Sequence, residues 1–180
     1  LSLGAETLGF HPASGDRLGY LRLPTESEWE FAARGGLSVA PARFDEKHPY
    51  GPALSKHEWF SGPESSHNKI RQVGLLQPNE LGLHDMLGNV AEMTMSLYAV
   101  EYYQGRTGGL VVRGGDSFTA KEDMRSSLRT EMPFYNRDYQ PSRQETVGFR
   151  LVLVSQLFTG PEDVRAMKQE WPDYRQSRAV

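Results

Sequence analysis

"GLHDMLGNVAEM", residues 82–93, sets two glycines, an asparagine and two acids among five large apolar side chains. Gly88 and Asn89 are the types most at home in a left-handed or tight backbone, while Leu83, Met86, Leu87, Val90 and Met93 call for burial. The stretch therefore reads as a turn enclosed by the core. An enclosed turn has to satisfy its own carbonyls and acids, and either a hydrogen-bond network or a bound cation does that.

Upstream, "LPTESEWEFAARGG" (23–36) places Thr25 and Glu28 at capping-box spacing, crowds acids into one turn and closes on Arg34 and Gly35, which predicts a helix. Trp29, Ala32 and Ala33 fall on one face and should point inward, with Glu26 and Glu30 left mostly in water. Residues 37–69 turn to Pro, Gly, Ser and His with isolated rings, which predicts a long irregular segment pinned by its aromatics. "GLVVRGG" (109–115) and "TVGFRLVLV" (146–154) are β-branched and glycine-bounded, hence strands. The tail from Thr159, with Pro161 at a first helical position, predicts a helix ending before Pro172.

One helix, few strands and much glycine-rich connection make an α+β domain poor in regular structure, held by internal cross-links. The 180 residues are 38% hydrophobic and 11% aromatic, enough for a substantial core. Twenty basic and 23 acidic residues are interspersed to a net charge of −3, so no basic stripe is available for nucleic acid. There is no cysteine, which removes disulfides, thiolate metal sites and cysteine nucleophiles together. Apolar runs such as "LVLV" (151–154) are too short to span a bilayer. The compartment is open, with a periplasmic or secreted location favoured over the cytoplasm.

"LRLPTESEWEFAARGG", "VGLLQPNELGLHDMLGNVAEM", "VVRGGDSF", "MRSSLR" and "VGFRLV" stand in this order between residues 20 and 154. Together they resemble the formylglycine-generating enzyme, or sulfatase-modifying factor, superfamily, and five ordered motifs are a more specific signal than any one. The resemblance implies a C-type-lectin-like fold with little regular secondary structure over 1–158, followed by a helical tail, 159–180. The family carries a longer segment ahead of its "RLPTEAEWE" motif, so the resemblance implies a chain that is a fragment, a processed product or a shortened variant. The family enzyme oxidises a substrate cysteine with copper on two cysteines after "GGS", whereas this chain reads "GGDSFTAKEDM". Formylglycine formation is therefore not expected. Relatives that bind iron use an H-x-x-x-H-x-E pattern, and His11, His48, His57, His67 and His84 do not have that spacing.

The resemblance also implies one structural calcium in the 82–93 turn, held by the Asp85 side chain, the Gly88 and Val90 carbonyls and the Glu92 carboxylate, hard oxygen ligands all. The family's "WEW" is "AEM" here, at 91–93. A turn in which Asp85 and Glu92 merely accept backbone N–H bonds stays open beside it. "GGDSF" (114–118) also resembles an esterase nucleophile block centred on Ser117, yet that class needs a histidine downstream and all five lie upstream. Arg113, Arg125, Arg129 and Arg150 are expected to pair with interior acids such as Asp116 or Glu131.

Two functions of different class follow. The first is a non-catalytic binding module for a protein partner, of the accessory or immunity kind found beside bacterial toxins and secretion systems. Its candidate anchors are Tyr50, Trp59 and Phe60 in 44–67, with Phe134, Tyr135 and Tyr139 in 132–139. The second is a cysteine-independent, metal-dependent oxidoreductase similar to the maturation enzymes of siderophore chromophores.

Overall fold

A computed structural model of the chain describes residues 20–98, 109–154 and 165. The chain divides into two compact units, Leu1–Arg22 with Leu153–Val180, and Leu23–Val152. The predicted tail helix lies outside the described residues apart from Arg165, which is helical. All the sites considered below belong to the second unit.

Strand β1 (Tyr20–Arg22) precedes helix α1 (Glu26–Ala33), which starts as its sequence dictates. Thr25 Oγ1 accepts from the Glu28 amide at 3.2 Å and Glu28 Oε2 accepts from the Thr25 amide at 2.8 Å, satisfying two amides that the first turn leaves free. Trp29 and Ala33 are buried. Glu26 and Glu30 do not sit in water as expected, because both pair with the buried Arg113. The irregular segment that follows holds a short helix α2 (Pro41–Phe44) and single 3-10 turns at Gly36–Ser38 and Gly51–Lys56. Tyr50, Leu54 and Phe60 pin it into a core shared with Trp29, Ala33, Met86, Leu87 and Met124.

Strands β2 (Ala91–Leu97), β3 (Leu110–Arg113), β4 (Arg129–Met132) and β5 (Val147–Phe149) form one sheet in the order β4-β3-β2-β5. β3 runs antiparallel to both its neighbours, and β5 lies parallel to β2 with Glu92 opposite Gly148. The strand expected at 146–154 is two strands, because its halves have different partners: β5 joins β2, while β6 (Val152–Val154) pairs with β1. The sequence therefore builds an α+β domain with few helices and short strands.

Candidate functional site

The 82–93 turn enters β2 through consecutive left-handed residues, with φ of 77° at Gly88 and 56° at Asn89. Asn89 links three segments. Its side chain bonds both the amide and the carbonyl of Arg71, its amide donates to the Trp59 carbonyl at 2.8 Å, and its carbonyl accepts from Ser117 at 3.0 Å. Asn79 braces the approach, accepting from the Leu81 and Leu83 amides and donating to the Ala32 carbonyl. The turn is thus the meeting point of the irregular segment, α1 and the "GGDS" loop.

At the end of the turn the Glu92 carboxylate is fully engaged. Trp29 Nε1 donates to Oε2 at 2.6 Å, and Arg150 forks onto both oxygens at 2.6 Å each while also reaching the His84 carbonyl. Burial alone lowers a guanidinium's pKa, yet the Glu92 carboxylate outweighs it and holds Arg150 above its ordinary value. Asp85, at φ 52°, accepts from the Gly74 amide through Oδ2 at 2.7 Å, while its enclosed Oδ1 has no partner. The four expected calcium ligands therefore share one turn but differ in availability. Asp85 offers an unspent carboxylate oxygen, which fits a hard cation, whereas a cation at Glu92 shares that group with a guanidinium.

Beside Asp85 stands an acid that the sequence reading passed over. Glu58 is 1% exposed and accepts from the Leu87 amide through Oε2 at 2.9 Å, leaving Oε1 without a partner. Burial raises its pKa to about 8, and the nearby Asp85 charge acts in the same direction. The Tyr50 hydroxyl is directed at this carboxyl without closing a hydrogen bond of regular geometry. Burial, then the Glu58 charge, raise the Tyr50 phenol. A lone acid between a histidine and "WF" in "HEWF" was the available signal.

The six aromatic candidates separate into two groups. Tyr50 at 7% exposure and Phe60 at 0% are core residues, so neither can meet a partner, and Trp59 is half-buried with Arg71 over its ring. These rings anchor the irregular segment. Phe134, Tyr135 and Tyr139 are exposed, Tyr139 at 87%. Their loop is closed rather than loose. Asn136 Oδ1 accepts from the amides of Asp138 and Gln140, the Asn136 amide donates to the Gln140 carbonyl, and Tyr139 holds φ 59°.

A cleft of about 480 Å³ opens between the "GGDS" loop, β4 and the start of β5, floored by Ala91 and Val112 and rimmed by Asp116, Asp123, Arg125 and Glu131. None of its lining residues is a histidine. Ser117 is fully buried, and among the described residues its hydroxyl has no partner, so that nucleophile has neither access nor a base in place. Asp116 caps its own loop by accepting from Phe118 and Thr119, and Glu131 accepts from the Gly109 amide. The arginines consequently pair elsewhere than expected. Arg113 binds Glu26 and Glu30, Arg129 binds Glu26, and Arg150 binds Glu92.

Residues 5–154 match the family described as the sulfatase-modifying factor enzyme 1-like domain. The inactive C-alpha-formylglycine-generating enzyme 2 of Bos taurus is 32% identical over 133 residues, covering 72% of this chain and 42% of that protein. The serine/threonine-protein kinase pkn1 of Chlamydia pneumoniae is 32% identical over 143 residues, 72% of this chain and 20% of the kinase. The chain thus spans less than half the length of either relative. Among solved structures, that of CarF superposes with a TM-score of 0.60 at 26% identity, covering 76% of this chain and 48% of CarF.

Proposed function

The chain belongs to the sulfatase-modifying factor family, and we propose that it serves there as a non-catalytic binding module that docks a protein partner through loop 132–139. The observation that carries the reading is the closed display of Phe134, Tyr135 and Tyr139 by Asn136. Aromatic side chains dominate interface energies, and a loop already fixed by its own hydrogen bonds loses little freedom on binding. Support comes also from the likeness to a relative named inactive, from a chain without cysteine, and from a cleft without histidine. The kinase relative, in which the matched stretch is 20% of the chain, shows such a domain set within a larger protein.

Alanine at Phe134, Tyr135 or Tyr139 is expected to leave the melting temperature within a few degrees and to lower recovery of the partner from the native host. Phe60→Ala, which empties a fully buried site, is expected to cost about 3–5 kcal/mol. If the three loop variants melt like Phe60→Ala, or bind as the unaltered chain does, the loop is not the docking surface.

A chemical corollary is that these 180 residues form no formylglycine from a cysteine peptide, since no thiolate is present to hold copper or exchange with substrate. Incubation with copper and a cysteine-containing sulfatase peptide should yield no more aldehyde than a heat-killed control. Aldehyde above that level would mean that a different metal site has replaced the thiolates.

Within the same reading we assign one structural calcium to the 82–93 turn, with Asp85, Gly88, Val90 and Glu92 as its expected ligands. The unpartnered Asp85 oxygen supports it. Saturating calcium at a hundredfold excess over its dissociation constant is then worth about 2.7 kcal/mol, visible as a melting shift that magnesium does not reproduce. An unchanged melting temperature after chelation would leave a turn held by hydrogen bonds alone.

A further inference from the structure

Three enclosed oxygen atoms from two segments have no hydrogen-bond partner: Tyr50 Oη, Glu58 Oε1 and Asp85 Oδ1. Their residues are 7%, 1% and 7% exposed, so water from the surface does not serve them. The Tyr50 hydroxyl is aimed at the Glu58 carboxyl, and the Asp85 charge is felt there. The Leu87 amide draws Glu58 into the same turn, two residues beyond Asp85.

We infer that Glu58 supplies the cation of this turn with its second carboxylate, in the place expected of Glu92, and that the Tyr50 hydroxyl completes the protein's share with Asp85. The inference rests on the calcium reading above and names ligands which that reading does not contain.

Charge bookkeeping favours the assignment. Glu92 already holds the Arg150 fork and the Trp29 indole, and the remaining Arg150 bond goes to the His84 carbonyl. Among the described residues no ion pair brings a cationic side chain onto Glu58 or Asp85, and the Arg150 charge acts on both from its place on Glu92. Enclosing two carboxylates beside each other is unfavourable unless a proton or a positive charge relieves them, and a cation displaces the proton that Glu58 otherwise keeps. All three available atoms are oxygens, and oxygen-only donors select a hard cation of the calcium class. Among the described residues no three His, Asp or Glu side chains converge on a metal position, so backbone carbonyls and water must fill the rest of a shell of about six to eight oxygens. The phenol is held ready for this role, since the Tyr50 ring stacks on His57 at 4.4 Å and on His48 at 6.0 Å.

The test is calorimetric titration of calcium chloride into the whole chain, with melting temperature followed in parallel and magnesium chloride as the control. The unaltered chain should take up one calcium. Glu58→Gln keeps the volume and the acceptor for the Leu87 amide, and it should weaken calcium binding by about tenfold or more. Should that variant fail to fold, Tyr50→Phe keeps the ring stack and removes only the hydroxyl; weaker calcium binding by this variant supports the assignment. Calcium binding that is unchanged in Glu58→Gln and Tyr50→Phe but lost in Asp85→Asn overturns the inference and leaves the calcium reading standing. It would mean that an enclosed water or a proton serves Glu58. No calcium uptake by the unaltered chain at millimolar concentration overturns both, and leaves the partner-binding loop untouched.

Discussion

Gly88→Ala should abolish the folded state or lower its melting temperature by about 10 °C or more. A Cβ at this position would stand 2.0 Å from the Trp59 carbonyl oxygen and 2.7 Å from its carbon. Neither atom belongs to a side chain that could rotate away. The same carbonyl accepts the Asn89 amide, and the Gly88 amide donates to Gly114 at 2.9 Å, so relief means parting the bridge that joins the irregular segment to the turn. Parting it removes the Asn89 links to Arg71 and Ser117 and the Leu87 bond to Glu58. Added to the left-handed φ of 77°, the loss should exceed about 4 kcal/mol, a large share of the stability of an ordinary domain. Gly51→Ala is the matched control. Gly51 also has a positive φ, of 51°, but a Cβ there meets nothing within 4 Å, so only the backbone term of about 1–2 kcal/mol remains. Equal melting of the two variants would show that the close approach at Gly88 carries no weight.

This contrast marks what the sequence could reveal. Local chemistry was legible: the Thr25–Glu28 capping box, the left-handed pair Gly88 and Asn89, and the β-branched run of β3 each rest on neighbours a few residues apart. The family too was legible, because its motifs are ordered stretches. Long-range pairing was not. Arg113 finds Glu30 across 83 residues and Arg129 finds Glu26 across 103, and nothing in the spacing distinguishes those acids from Asp116 or Glu131. β2 escaped notice although it alternates, since its polar Glu92 and Thr94 face inward while the apolar Met95 and Leu97 are exposed, the reverse of the usual pattern. The aromatic anchors divided for a similar reason. Burial of Tyr50 and Phe60 against exposure of Tyr135 and Tyr139 depends on which loop folds over the core, and the ring types are the same in both.

The buried Glu58 carboxyl should make stability depend on pH in the direction opposite to acid denaturation. In the unfolded chain this group ionises near its ordinary 4.5, while in the fold burial keeps it protonated up to about 8. Between those values the native state binds a proton that the unfolded chain has lost. Stability therefore falls as pH rises, by about 1.4 kcal/mol per unit from this one group, and levels off once Glu58 ionises in the fold as well. His48 acts the other way lower down. Burial first, then Lys47, depress its pKa below the ordinary 6.5, so the fold gains stability as pH rises through the region where the unfolded chain still holds that proton. The window that reports Glu58 is accordingly from about pH 7 to pH 8, above the ordinary imidazole value, where the opposing effect of His48 fades. Denaturant unfolding in the presence of a chelator should give a midpoint that drops across this window, with little sensitivity to salt because the cause is desolvation rather than a surface charge pair. Glu58→Gln should flatten the drop and stand above the unaltered chain at pH 8, since the amide keeps the Leu87 acceptor and has no proton to lose. A midpoint that stays level in the unaltered chain, or a drop that survives in Glu58→Gln, would show that the carboxyl is solvated or already paired. With calcium in place of the chelator the slope should shrink, because a cation that needs the ionised carboxylate competes for the site with the proton that the empty pocket retains.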